Sequence, residues 1–349
     1  MCTMRRHAIL VSRQRNLPHR IMFPSLFMPF GLTFLMLLVL TRSGAARYLA
    51  MDKPNQRALH VEAVPRIGGI AMIIATLSAL SLLPQRPLLP MLLTATLAGI
   101  SFVDDRQGLP VGVRLAAQGL AALLMVLFGI GAIDADVWVV ASLVVYVVWM
   151  ANAYNFMDGS DGLAGGMAVF GFLAYGWAAF AAAAEPLATM SFAVAAAAGG
   201  FLCFNFPPAK IFMGDAGSIP LGFLAASMGL LGMQQGLWPM WFPILVFSPF
   251  LADASVTLLR RIWRGERFWQ AHREHYYQRL IRMGWGHRRT ALAEYLAMAG
   301  VAASAVAGLK LGAQAQVFIC TAWVAIFAAM MIGIDRRWRV FQQAADRGR

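Results

Sequence analysis

Acidic side chains are scarce in this sequence. Aspartate and glutamate together number 16 in 349 residues, and all charged residues make up 13%. A soluble domain carries about 25%, so a chain of this length could not cover a water-facing surface with so few. That excludes an ordinary globular enzyme. Cysteine is also sparse. Cys2, Cys203 and Cys320 stand far apart, two of them in apolar runs. Neither a disulfide framework nor the paired spacing of a zinc site is present. No internal repeat is evident. The basic start lacks the small-residue cleavage site after a clean apolar core that marks a signal peptide.

What the chain has instead is apolar length. It is 60% hydrophobic, arranged in stretches of roughly 20 residues, the length that crosses a bilayer as helix. The expected fold class is all-α, a polytopic membrane helix bundle of about 11 transmembrane helices. The expected spans are 21–41, 67–83, 88–103, 113–131, 137–153, 163–182, 187–204, 218–235, 238–259, 290–309 and 315–334. Residues 1–20 form a basic tail, 21–334 a single transmembrane catalytic domain, and 335–349 a second basic tail.

The net charge of +13 comes from Lys and Arg in the short connections, which argues against nucleic acid as partner. Loops 42–66, 104–112, 154–162, 205–217 and 260–289, the tail 335–349 and Arg114 at a span edge hold 22 of the 29 Lys and Arg. By the positive-inside rule that side is cytoplasmic. In bacteria this predicts a multi-pass protein of the inner (cytoplasmic) membrane. The arginines at 5, 6, 13, 15 and 20 fall on the opposite side, so either the first span is misread or the tail is not native; the favoured expectation is a true start at Met22 or Met28. A cell-made peptide beginning upstream of Met22 is the observation that sinks this expectation.

The few acids cluster at span ends on that side. Asp104 and Asp105 follow one span directly, with Arg114 close behind; adjacent carboxylates need a cation or proton nearby, although a solvated helix end is the plainer reading. NAYNFMDGSDGLAGG (152–166) sets Asp158 and Asp161 among Asn152, Asn155 and four glycines. Asp161 or Ser160 could cap a helix starting near Leu163, and free amides at that helix start would favour a phosphate. FNFPPAKIFMGDAGSIPLG (204–222) places Asp215 between glycines beside Phe212, with Ser218 a candidate cap and Pro220 in the first turn. Four acidic positions on one face suit a shared Mg2+ site, with Mn2+ as the alternative. Such a metal takes hard oxygen ligands and bridges substrate phosphates.

Two basic loops complete the face. DKPNQRALHVEAVPRIGG (52–69) carries Arg57 and His60 and reads as a phosphate-binding arm or an anchor for anionic lipid. The segment 260–289 interleaves nine arginines with aromatics and includes His272, Arg273 and His275; much of it suits an interfacial helix. Asp253, inside the preceding span, is either functional or paired to Arg260 or another loop arginine. Carboxylates for a divalent ion, basic groups for phosphate and aromatics for a planar ring together point to phosphoryl transfer between a soluble nucleotide and a lipid.

At these motifs the sequence resembles the polyprenyl-phosphate N-acetylhexosamine-1-phosphate transferases over about residues 25–335. The likeness rests on DKPNQRALH with PRIGG, on the Asp104-Asp105 pair, on NAYNFMDGSDGLAGG and on FNFPPAKIFMGDAGS. It implies a ten- or eleven-span bundle with a cytoplasmic site. It also implies Mg2+, a UDP-N-acetylhexosamine donor and undecaprenyl phosphate as acceptor, with a homodimer compatible. By the same resemblance Asp215 is the principal metal ligand, and Asn155 and Asp158 complete the metal and pyrophosphate site. Asp104 and Asp105 stand by the lipid phosphate, one of them a base. Asp161, Asn205 and Phe212 hold the uridine.

One motif departs from the family. Many members carry an HxHH cluster where this chain reads HREHYYQRL, so that Tyr277 and Gln278 replace two histidines. Only His275, as a catalytic group, and Arg273, as a phosphate contact, carry over. The departure argues against the phospho-N-acetylmuramoyl-pentapeptide transferase branch, which stays as the alternative, and favours an O-antigen-initiating type. A secondary transporter is the alternative from another class; its sites lie near the midplane on broken helices within repeats.

Overall fold

The structure, a computed structural model, describes residues 17–45, 51–52, 64–84, 86–267 and 272–347. Arg57, His60 and residues 1–16 of the basic tail lie outside the described residues.

Helix is the dominant element. The chain runs α1 (Leu17–Arg42), β1 (Met51–Asp52), β2 (Val64–Pro65), α2 (Gly68–Ser81), α3 (Leu88–Gln107), α4 (Val111–Leu124), α5 (Val137–Phe156), α6 (Leu163–Ala181) and α7 (Glu185–Asn205). It continues through α8 (Asp215–Gln234), α9 (Trp241–Val246), α10 (Ser248–Trp263), α11 (Tyr276–Leu280), α12 (Gly286–Gly308) and α13 (Ala313–Arg347). Among the described residues eight helical segments are long and apolar enough to cross a membrane, with shorter apolar helices at Phe27–Arg42 and Gly68–Ser81. Each expected span falls on a helix, with two irregularities. The expected span 238–259 is broken at Phe247 into α9 and α10; Pro249, in the first turn of α10, has no N–H to continue the ladder. The end of α4 relaxes into a π-turn over Met125–Gly129, closed by Ile130 N–H to the Met125 carbonyl at 2.9 Å.

Capping explains several helix starts. Asp136 accepts the Trp138 N–H at 2.8 Å and starts α5. Pro186 occupies the first turn of α7, where its missing N–H costs nothing. α8 begins earlier than expected, at Asp215, so Pro220 sits in its second turn.

α6, α7 and α8 form the centre of the bundle, while α13 buries no residue. Small residues let the central helices approach, as they must where lipid supplies no hydrophobic drive between helices. A Cβ on Gly222 of α8 would lie 2.6 Å from Ala151 Cα of α5, and one on Gly69 of α2 would lie 2.3 Å from Gly217 Cα of α8. The start of α2 is also zipped to the start of α8. Phe212 N–H donates to Pro65 O, Gly68 N–H to Phe212 O and Gly69 N–H to Met213 O, at 2.8 to 3.0 Å. The two-residue strands β1 and β2 pair antiparallel beside this zipper. The ends of α3, α5 and α7 and the starts of α2, α4, α6 and α8 therefore gather at one end of the bundle.

Candidate active site

The acids expected from the sequence meet at that end, around the N-terminus of α8. Its first free amides have no carbonyl partners within the helix. Asp105, from the end of α3, accepts Asp215 N–H on one oxygen at 3.2 Å and Ala216 N–H on the other at 3.0 Å. Asp158, from the loop after α5, comes in beside the Gly214 backbone and within reach of the charges of Asp215 and Asp105. Asp105 thus occupies two successive amides, where the helix dipole also favours negative charge. The expected cap Ser218 does not serve: its hydroxyl donates back to the Gly214 carbonyl.

Asp104 faces away from this arrangement. One of its oxygens accepts Leu109 N–H at 2.6 Å and the other meets Arg114 at 2.9 Å. The same Arg114 nitrogen lies 3.6 Å from Asp215. Arg66 approaches Asp105 at 3.8 Å. Asn155, on α5, donates to Ser218 Oγ at 3.2 Å and stands beside Asp215, whose charge it favours. Asp215 is more open than Asp104 and Asp105, with 27% of its side chain exposed against 7% and 1%. Burial, then the neighbouring charge of Asp215, pushes the Asp158 carboxyl well above its usual range. Cations are thus in demand here, and Arg66 and Arg114 supply only part of the need.

Among the described residues no group of three or more His, Cys, Asp or Glu comes to ligating distance of a common point. Asp215 and Asp158 with the Asn155 amide offer oxygen donors only. That set fits Mg2+ in its usual mode, with one or two carboxylates, several waters and substrate phosphates, and does not fit a closed protein cage.

A second cluster lies one helix over, at the start of α6. Here the expected roles change. Neither Ser160 nor Asp161 caps α6; Gly162 stands at the cap with φ 75°, a left-handed geometry that glycine tolerates. Asn205 is buried, and its amide is consumed on both sides: Oδ1 accepts Gly162 N–H and Nδ2 donates to the Ile211 carbonyl, each at 2.9 Å. It thereby clamps the start of α6 to the segment before α8. Asp161 accepts Ala209 N–H at 2.9 Å, tying the same two loops. His287, which no sequence signal marks, takes Asp161 N–H at 3.3 Å and lies 3.1 Å from Ser160 Oγ, both through Nδ1. The amides at the α6 start are thus partly used by Asn205 and His287. Phe212, half-buried, lies three residues before Asp215, with Gly214 between them.

The basic loop folds over this end. Arg260 is taken by Asp335, and among the described residues the partners found for Asp253 are of another kind. Asp253 accepts Tyr276 N–H and Tyr277 N–H at 3.0 and 3.1 Å and meets His275 Nδ1 at 3.1 Å, so it caps α11 from within the bundle. His275 is buried by that pairing, which makes it an anchor of the loop. Arg273 is half-buried just ahead of it, with Arg282 donating to its carbonyl. Burial, then the charges of His275 and Arg261, lowers His272 to about 4. Its Nδ1 accepts Glu274 N–H, as a neutral ring must. Tyr277 reaches from α11 to the Phe156 carbonyl at 3.1 Å, two residues before Asp158.

Comparison with known proteins gives a consistent assignment. The family model of glycosyl transferase family 4 matches residues 88–233, the segment holding Asp104, Asp105, Asp158 and Asp215. The chain is 30% identical to a probable undecaprenyl-phosphate N-acetylglucosaminyl 1-phosphate transferase of Bacillus subtilis, covering 76% of this chain and 79% of the relative. It is 32% identical to the decaprenyl-phosphate N-acetylglucosaminephosphotransferase of Mycobacterium tuberculosis, covering 76% and 77%. It is 27% identical to the undecaprenyl-phosphate alpha-N-acetylglucosaminyl 1-phosphate transferase of Escherichia coli K12, covering 87% and 88%.

Proposed function

The chain belongs to glycosyl transferase family 4, among the polyprenyl-phosphate N-acetylhexosamine-1-phosphate transferases, and from that premise we propose how its site works. It transfers an N-acetylhexosamine 1-phosphate to a polyprenyl phosphate. The donor is a UDP-N-acetylhexosamine, the acceptor undecaprenyl phosphate, and the site faces the cytoplasm of a bacterial inner membrane. The lysine and arginine excess on the loops of the site end supports the orientation. The product starts O-antigen or another cell-surface polysaccharide.

The observation that carries this reading is the gathering of Asp105, Asp158 and Asp215 around one helix start, with Arg66 and Arg114 beside them. An oxygen of the lipid phosphate attacks the β-phosphorus of the donor. The bond from that phosphorus to the bridging oxygen breaks, UMP leaves with the electron pair, and a polyprenyl-diphospho-sugar remains. The lipid phosphate is already largely ionised at neutral pH, so no strong base is needed. Asp104 and Asp105 fit that requirement, since both are engaged in holding Arg114 and the start of α8. Arg66 and Arg114 bind and orient phosphate oxygens. Asp215, Asp158 and Asn155 would hold Mg2+, which would neutralise charge on the pyrophosphate. Phe212 offers a ring to the uracil, and Asp161 and Asn205 shape the pocket wall.

The test is a membrane assay with undecaprenyl phosphate and UDP-GlcNAc, UDP-GalNAc or their 6-deoxy analogues, reading UMP release with and without Mg2+. Release that needs both lipid and metal is expected. Full activity in Asp215→Asn and Asp105→Asn would overturn the site assignment.

A further inference from the structure

The last helix buries no residue, yet one of its side chains is tied tightly to the reaction face. Asp335 lies 22 residues after Ala313, about 33 Å along α13 at 1.5 Å per residue. That is about the thickness of the hydrocarbon core, so Asp335 reaches the level of the site loops. Only 14% of its side chain is exposed. Arg260 Nη1 donates to both of its oxygens, at 2.9 and 2.7 Å. Arg279 Nη1 donates at 2.8 Å and the Tyr276 hydroxyl at 3.4 Å. Arg260 and Arg279 both stack on the Tyr276 ring, and Arg279 and Arg282 both pack on Trp338, one turn beyond Asp335.

Three of these groups, Tyr276, Arg279 and Arg282, belong to α11 or follow it directly. α11 has five residues and runs on into a π-turn over Ile281–Trp285 that is kinked at Gly284, so the helical stretch ahead of the kink is below the length at which a helix stands alone in water. It holds its place through three attachments: Asp253 at its N-terminus, Asp335 on its outer side and Tyr277 on its inner side. The inner attachment ends on Phe156, two residues from Asp158.

We propose that Asp335 is a positioning residue for the transfer reaction: the peripheral last helix acts as a strut that presses α11 onto the Phe156–Asp158 turn. The strut rests on the transferase reading for its effect on rate, but its mechanical part does not. The side chain touches no reacting group and works through Arg279 and Tyr277.

The experiment uses the full chain in membranes and in detergent. UMP release gives kcat and KM, and trypsin cleavage after Arg273 and Arg282 reports how firmly α11 is held. Asp335→Ala is expected to lower kcat about tenfold or more with KM for the UDP-sugar within about twofold, the pattern of lost alignment. Cleavage should quicken in parallel. Asp335→Glu should recover both. Ser304→Ala, which removes the Trp323 contact of α13 at 2.8 Å, should change neither. If Asp335→Ala fails to accumulate, Asp335→Asn carries the same two readouts. A change in only one of them, or in neither, overturns the proposal. If wild-type protein releases no UMP, the transferase reading falls, and the cleavage rates alone decide the strut.

Discussion

Asp105 accepts the backbone N–H of Asp215 at 3.2 Å, so one acid of the site caps the helix that presents another. The two functions are inseparable in a single side chain. Asp105→Asn keeps the shape but turns one acceptor into a donor facing an N–H. Loss of such a cap costs about 1 kcal/mol, and the displaced α8 start moves Asp215 from its partners. Thermal unfolding and UMP release should both fall. An active, equally stable variant would show that the cap is dispensable.

Gly69 and Gly217 meet backbone to backbone, with a Cβ on either lying 2.3 or 2.4 Å from the other's Cα. Gly69→Ala or Gly217→Ala should therefore cost about 1–3 kcal/mol through overpacking. At Gly112 and Gly119 of α4 a Cβ would enter open space, with no atom within 4 Å. Alanine there should be neutral or slightly stabilising. Comparing the four unfolding midpoints in one detergent checks the contrast.

Asn205→Ala removes the clamp between the α6 start and the segment before α8. It leaves Gly162 N–H and the Ile211 carbonyl without their partner. The expected loss is about 1–3 kcal/mol. A uridine ligand would instead show up as a raised KM at unchanged stability, and measuring both separates the roles.

Mg2+ should raise the unfolding midpoint of the wild-type chain, because it binds the folded state and relieves repulsion among Asp158, Asp215 and Asp105. Asp215→Asn should abolish most of that rise. A variant that responds to Mg2+ like wild type would place the metal elsewhere.

His272 supplies a pH signature. Its folded pKa of about 4 lies below the ordinary value of 6.5, so the unfolded chain binds its proton first. Its contribution to stability is present above pH 6.5 and is lost as pH falls toward 4. His272→Asn should flatten the midpoint-against-pH curve across that window. Because the ring is partly exposed, solvent screening limits the effect. An unchanged curve would show that the ring stays solvated.

The bundle itself was legible in the sequence, for a local reason. Apolar length and the placement of Pro, Gly and Asp mark helices without knowledge of their neighbours. Each expected span fell on a helix, and the break at Phe247 left no mark in the hydropathy because α9 and α10 are apolar on both sides of it. Asp104, Asp105, Asp158 and Asp215 were also legible, because an acid beside an apolar span is expensive and four at span ends require a common cause.

Partners were not legible. His287 meets Asp161 across 126 residues of chain, and Arg260 meets Asp335 across 75. Asp253, read from the sequence as functional or paired to a loop arginine, takes His275 and two backbone amides 22 to 24 residues on. Composition and hydropathy determined that this chain crosses a membrane and which of its ends carries the charge. Only the tertiary structure decided which acid stays open and which are consumed as caps and clamps. The physical reason is that a carboxylate's role depends on the donors packed around it, and those donors are backbone amides and arginines brought together by the crossing of distant helices.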